Sequence, residues 1–363
     1  MKSLKINTLD RYIIRQFLGT YIFAIAMILV ISVVFDVAEK IDDFISEEVT
    51  LHEIIVDYYF NFIPYFANLF SPVFVFISVI FFTSKMAGRS EIIAILSSGV
   101  SFKRLLYPYM ITATLIFAVS TFLSHFVIPN ANDKRLQFEA SYIRTPSYSD
   151  TYNVHLQMRP GYFVYIRSYD ADRKTGYSVT VENISNNRLQ SKLWTNYAAW
   201  DTTKATWTAN QWYSRQYLDR HDSLQHGINL DTNIYLLPTD LRRSQKAVQT
   251  LDYKALNSYI AQQKLQGVSD INNSLVEKHS RTATPFATFI LTVIGVSVSS
   301  RKRRGGMGIH ITIGLIISFS YILFMRFAMM FSIGGGWPPF LSTWIPNIIF
   351  AVVAYVLFRL ASR

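Results

Sequence analysis

RYIIRQFLGTYIFAIAMILVISVVFDVAEKIDD, residues Arg11–Asp43, decides how this chain is read. An unbroken apolar run from Tyr12 to Phe35, interrupted only by Arg15 and a few small or polar residues, is long enough to cross a bilayer as a helix, since ~20 apolar residues span ~30 Å of hydrocarbon. The flanks differ in sign. Lys2, Lys5, Arg11 and Arg15 sit at one end, and Asp36, Glu39, Asp42, Asp43, Glu47, Glu48, Glu53 and Asp57 follow the other, against the single Lys40. Lys/Arg-rich short segments resist translocation and stay in the cytoplasm. The run therefore reads as a membrane span that starts inside and ends outside. It is too long for a signal-peptide core, and Asp36-Val37-Ala38-Glu39-Lys40 is a poor cleavage site, so it is expected to remain as an anchor.

The same reading extends down the chain. Apolar stretches recur at roughly Tyr58–Ser84, Leu105–Ile128, Thr284–Ser299, Gly308–Ile333 and Leu341–Leu360. Lys85, Arg89, Lys103 and Arg104 fill the second gap, Arg301, Lys302, Arg303 and Arg304 the fourth, and Arg359 and Arg363 the C-terminus. The fifth gap, Ser332–Phe340, is uncharged. Every gap fits one topology: six spans, both termini inside, and the long gap, about Pro129–Ala283, outside. The fold class is thus a polytopic α-helical membrane protein of six transmembrane helices with an inserted β domain. Half of the residues are hydrophobic and the mean hydropathy is +0.21, which agrees. The net charge of +11 sits largely in span flanks, where anionic headgroups are the natural partner, so no nucleic-acid role is inferred. Cysteine is absent, which excludes disulfides, thiolate metal sites and a Cys nucleophile.

Four segments are expected: spans one to three with a short cytoplasmic helix near 90–98 (1–128), an external β domain (129–250), a helical connector (251–282), and spans four to six (283–363). In the β domain, Tyr152–Met158, Tyr162–Tyr169, Tyr177–Asn183, Arg188–Trp194, Ala205–Thr208 and Gln211–Leu218 are short, aromatic and β-branched. They predict strands of a sandwich, jelly roll or open barrel. Tyr162–Tyr169 and Gln211–Leu218 line either an apolar trough or an ordinary core. Asp252–Gln266 has helical spacing, and a further helix from about Asp270 runs into span four.

Chemistry-bearing motifs are few. No GxxxxGK[ST] loop exists, so the chain is not expected to hydrolyse ATP. His221, Asp222 and His226 read as a solvated polar loop, and no metal site is expected. Pro64 and Pro72 fall within span two and kink it, either beside a cavity or as a tolerated bend. After Arg89, Ser90 is placed to cap a short helix, Glu91 to complement its positive end and Gly99 to stop it. Ile92, Ile95 and Leu96 form an apolar stripe with two fates, lying in the membrane interface or docking into a cytosolic partner. Arg326 stands alone in span five, about 24 Å from His310 at ~1.5 Å per residue. It either snorkels to the outer interface or binds an anionic headgroup; with Lys40, Lys134 and Arg135 it would form a phosphate-binding rim.

Three motifs then point to one family: Ser90-Glu91-Ile92-Ile93-Ala94-Ile95-Leu96 with Ser98-Gly99-Val100-Ser101; Lys278-His279-Ser280-Arg281 before Pro285; and Gly335-Gly336-Trp337-Pro338-Pro339-Phe340-Leu341 with Trp344-Ile345-Pro346-Asn347. In this order, over the whole length, the chain resembles the LptF/LptG permeases of the lipopolysaccharide export ABC transporter, F-type and G-type alike. The resemblance implies a multi-pass protein of the inner membrane with a periplasmic β-jellyroll-like domain. It implies extraction of lipopolysaccharide into a cavity shared with a second six-span permease. It also implies an LptB-like cytoplasmic ATPase dimer that uses ATP, and LptC/LptA-like jellyroll bridge proteins that take the lipid onward. Glu91 matches the family's ATPase-coupling Glu, with Arg89, Ser90, Ile92, Ile95 and Leu96 around it. Lys40 and Arg135 occupy places comparable to basic residues that contact lipid phosphates. Acids dominate after span one here, which shifts weight to Arg326. An alternative is an envelope scaffold or sensor whose β domain binds a partner while the spans anchor it. A lipid-modifying enzyme would need a convergent acid/base or nucleophile set, and the sequence offers none.

Overall fold

The structure is a computed structural model that describes residues 7–46, 49–143, 151–170, 173–218, 221–232, 234, 236, 238, 245–266, 271–301 and 306–362. Glu47, Glu48, Lys2, Lys5 and Lys302 to Arg304 lie outside the described residues. The chain divides into two compact units, Met1–Ile143 with Leu275–Arg363, and Arg144–Ser274.

The first unit is helical. Its elements are α1 (Thr8–Ser46), α2 (Leu51–Gly88), α3 (Glu91–Ser97), α4 (Phe102–Tyr142), α7 (Ile271–Ser299), α8 (Gly306–Ile333) and α9 (Pro339–Ala361). All but α3 are long and apolar enough to cross a membrane. The helices overrun the apolar stretches. α4 does not stop at Ile128, where sequence places the start of the outer domain; it continues to Tyr142, and the compact unit ends at Ile143. Local pairing supports the extension: Arg135 and Glu139 pair one turn apart along it, and Pro129 follows directly on a π segment, where the regular hydrogen-bond ladder is already interrupted.

Each prolonged helix contains a π segment, Ile54–Tyr59 in α2 and Leu123–Val127 in α4. A π turn inserts one residue and rotates the face that follows. In α2 it buries Tyr58 and Tyr59 together. Thr50 starts α2 with a capping box: its hydroxyl accepts from Glu53 N, and the Glu53 carboxylate accepts from Thr50 N at 3.0 Å.

Small residues let the helices close up. A Cβ built on Gly295 of α7 would lie 2.8 Å from Val79 and 3.1 Å from Phe76 of α2. Polar pairs tie α2 to α1 and α4: Tyr21 to Ser71 at 2.7 Å, Asn68 to Ser124 at 2.9 Å and Ser120 to Asn68 at 2.5 Å. Tyr321 donates to Asn347 at 2.9 Å, and Asn347 donates to the Ala283 carbonyl at 2.8 Å, joining α8, α9 and α7. Away from water such bonds hold helices that gain nothing from apolar contact alone.

The start of α1 is clamped to the start of α4 by Asp10 and Arg104, paired bidentately at 2.7 and 2.6 Å. Arg301 caps the Leu360 carbonyl, and Phe102 meets Phe358. These contacts define one end of the bundle, where the Lys/Arg flanks gather, here called the basic end. α1 is the exception to close packing. Only 6% of its most apolar window is buried, against 61% for α7, so Ile22, Phe23, Val30, Val34 and Phe35 face outward.

The second unit is one six-stranded antiparallel sheet in sequential order: β1 (Thr151–Arg159), β2 (Tyr162–Asp170), β3 (Thr175–Ser185), β4 (Arg188–Asp201), β5 (Thr206–Tyr217) and β6 (Asp222–Thr232). It also holds two short helices, α5 (Gln245–Thr250) and α6 (Tyr253–Gln266), the latter packed against β1. Two expected strands, Ala205–Thr208 and Gln211–Leu218, are one strand, β5. The solvated loop expected at His221–His226 is largely β6.

A crease crosses this sheet. Along single strands the buried side chains are three apart instead of two or four: Ile166 and Tyr169, Val179 and Gly176, Thr195 and Ala198. A strict pleat alternates, so the facing must flip between them. In β3 and β5 a left-handed residue sits on the crease, Ser178 at φ +51 and Gln211 at φ +52. Val154, Leu156, Val164 and Ile166 build the core on one side of the crease, and Ala198 and Trp207 on the other. The Trp207 indole donates to the Leu236 carbonyl at 2.7 Å.

Candidate functional site

Two groups of side chains at opposite ends of the helical unit carry the candidate chemistry. At the basic end, α3 lies between α2 and α4. Ser90 does not cap it as sequence suggests. Its φ is +60, a left-handed turn, and its side chain makes no capping bond. The tight Gly88-Arg89-Ser90 reversal needs that conformation more than the helix needs a cap. Of the apolar stripe, Ile92 turns inward, while Ile95 and Leu96 stay half-exposed. Ile92 is fully buried among Ile13, Phe17, Met86, Ala87 and Phe102, with Ile95 and Leu96 packed beside it. The stripe docks α3 onto its own bundle. The outward side is Ile93, Ala94, Ser97 and Ser98, with Glu91 at its edge. Glu91 lies 3.9 Å from Arg89 and next to the Tyr12 hydroxyl. Its side chain is 32% exposed and that of Arg89 is 62% exposed, so this ion pair is a weak one and leaves the carboxylate reachable.

At the other end, Lys40 and Arg135 come together, but as partners of carboxylates. Lys40 Nζ is 2.7 Å from Asp36 and also donates to the Tyr58 hydroxyl. Tyr58 and Tyr59 each donate to Asp36 at 3.2 Å. Arg135 pairs with Glu139 at 3.6 Å and lies over the Tyr65 ring at 5.1 Å. Phe44, Phe62 and Phe138 enclose the group. Asp36–Lys40 and Arg135–Glu139 are both spaced i,i+4, a signal the sequence carried. Tyr58, Tyr59 and Tyr65 could not be found that way, because the π segment aims the first two.

Lys134 and Arg326 stand apart from this cluster. Lys134 is exposed on the face of α4 away from Arg135. Arg326 is exposed on α8, in line with Leu323, Phe327 and Met330. Among the described residues neither has an ion-pair partner. Next to Arg326, Phe327, Met330, Phe331, Gly334 and Gly336 line an apolar groove of about 330 Å³. A guanidinium beside an apolar groove suits an amphiphile with an anionic head.

In the β unit, Asp222 is paired with Arg215 and His226 lies 6.0 Å from Tyr213. Among the described residues no group of three metal-ligating side chains assembles.

Six apolar helices, a short helix at the basic end and a β domain inserted between the third and fourth spans define a multi-pass membrane protein. The chain matches the model of the family described as lipopolysaccharide export system permease LptF/LptG over residues 11–360, and it belongs to that family. No curated protein sequence matches it.

Proposed function

We propose that this chain is the permease subunit that takes lipopolysaccharide out of the inner membrane's outer leaflet and passes it to a periplasmic bridge. A cytoplasmic ATPase dimer supplies the energy, and a second six-span permease completes the cavity. In this reading the basic end faces the cytoplasm, in line with its Lys/Arg flanks, and the β domain is periplasmic. The family match carries the proposal. The apolar outward faces of α1 and α8, with the unpaired Arg326 in the second, support a lateral opening where a glycolipid enters.

Arg326 is the sharpest test of that entry. Arg326→Ala is expected to lower lipid capture about tenfold, the loss of one charge-assisted phosphate contact of ~1.5 kcal/mol. Arg326→Lys should recover part, since Lys keeps the charge without the bidentate fork. Photo-crosslinking of lipopolysaccharide at equal membrane abundance reads this out. Wild-type capture by both variants would mean that Arg326 only snorkels.

A further inference from the structure

One rung of the sheet carries rings at five of its six positions, the sixth being the buried Thr180. Register pairs His155 with Tyr165, Tyr165 with Thr180, Thr180 with Trp194, Trp194 with Tyr213, and Tyr213 with His226. A single row thus crosses all six strands. Ring centroids are 4.4 Å apart for His155–Tyr165, 5.7 Å for Trp194–Tyr213 and 6.0 Å for Tyr213–His226. With strands ~4.8 Å apart, the three rings on β4 to β6 form a track about 10 Å long. The core does not need these rings. The residues that fill it from the same strands are Val164, Ile166 and Val179, with Thr195 buried beside them. Tyr213 is 48% exposed.

The next rung holds charges, and they cancel. Lys192 pairs with Glu182 at 2.8 Å, and Arg215 pairs with Asp222 while lying over the Tyr217 ring. A face of rings and neutralised charge is ill suited to a polyanion, which needs unpaired cations. It suits the uncharged, hydroxyl-rich faces of sugar rings. A pyranose ring presents a C–H face that packs on an aromatic π surface. Its equatorial hydroxyls then reach imidazole, phenol and ion-pair partners at the edges. Tyr and Trp do this at small cost in side-chain entropy.

We infer that the Trp194–Tyr213–His226 track is a saccharide-binding face that holds the sugar part of the exported glycolipid. This rests on the proposed function for its choice of ligand, and it concerns the outward face of the sheet, not the core. Cross-strand aromatic pairs also stabilise a sheet by themselves, so the variants must keep the strand. Trp194→Val and Tyr213→Val remove a ring and retain β-branched packing; Tyr213→Phe keeps the ring.

The probe is the oligosaccharide that mild acid cuts from the lipid anchor of lipopolysaccharide, titrated calorimetrically against the full chain in nanodiscs at ~0.15 M salt, where exposed charges are screened beyond ~8 Å. Saturable binding is expected, about tenfold weaker in each Val variant and close to wild type in Tyr213→Phe, with unchanged thermal unfolding. A wild-type chain that takes up no saccharide overturns the inference, and so do Val variants that bind like wild type. Loss of a purified jellyroll partner by the Val variants, with saccharide binding intact, would reassign the face to protein and overturn it too. Acyl-chain crosslinking in the complex with a second family permease and a P-loop ATPase turning over ATP separates the two readings: lipid capture without saccharide binding removes this inference alone, and absence of both removes the transport reading.

Discussion

Glu91→Ala is expected to cut ATP-driven lipid export at least about 30-fold while the chain still inserts and folds. The fold gives Glu91 little to do. Its one ion pair, with Arg89, is long and exposed, and pairs of that kind contribute ~0–1 kcal/mol. α3 is anchored by Ile92, Ile95 and Leu96 instead. Truncation should therefore leave the thermal midpoint nearly unchanged. Across an interface the same carboxylate counts for more. Removing one partner of a desolvated charge pair costs ~2–5 kcal/mol, and 2 kcal/mol is already about 30-fold. Export and ATP turnover, measured in proteoliposomes beside a melting curve, check both halves. A variant that unfolds would make Glu91 a structural residue, and one that exports normally would remove it from coupling.

Lys40→Ala is expected to destabilise the helical unit by about 3 kcal/mol. Lys40 and Asp36 have side chains only 18% and 12% exposed. Removing one member of a buried pair strands the other, at ~3–5 kcal/mol. The low end applies because Tyr58 and Tyr59 still donate to Asp36. Asp36→Ala should be about as damaging, since it leaves an ammonium among Phe44, Tyr58 and Phe62. The double replacement should be milder than the sum of the two, because no charge is left unpaired. Denaturant midpoints of the three variants in detergent measure this. A Lys40 that mainly contacts lipid phosphate would give the opposite result: little change in stability and a large loss of lipid capture.

Much of the helical unit was legible because its code is one-dimensional. Apolar run length and Lys/Arg placement locate spans without knowledge of any tertiary contact, and Tyr12–Phe35 and Tyr58–Ser84 both fall inside observed helices. Helix ends were less legible. Ile128–Tyr142 is polar enough to read as domain, yet it stays helical and pairs Arg135 with Glu139. The β domain was legible where aromatic and β-branched residues cluster, and β6 was missed because Gly227, Gln225 and Asn229 dilute it. Its alternate residues, Leu224, His226, Ile228 and Leu230, do carry the period of two. Gly227 itself is there for space: a Cβ on it would lie 2.8 Å from the Trp212 indole nitrogen.

The candidate site was legible as residue types and not as partners. Lys40, Arg135, Glu91 and Arg326 were all visible as isolated charges. The two tyrosines that tie up Asp36 depend on a π turn, and the inward docking of Ile92 depends on a left-handed Ser90. Neither conformation has a sequence signature for non-glycine residues. Of the three stripe residues, Ile92 is committed to the bundle, and Ile95 and Leu96 keep part of their surface exposed.

If this chain is one subunit of an energised lipid exporter, as proposed, it works only together with its partners. The most direct measurement is reconstitution of the purified chain with a second family permease and a P-loop ATPase in liposomes loaded with lipopolysaccharide. Photo-crosslinkers sit at Val164 and Ile166 on the inward face of the sheet. A stable complex is expected in which those positions capture lipopolysaccharide only when ATP is turned over, while the chain alone neither hydrolyses ATP nor captures lipid at them. Failure to form the complex, or equal capture with and without ATP, would contradict it.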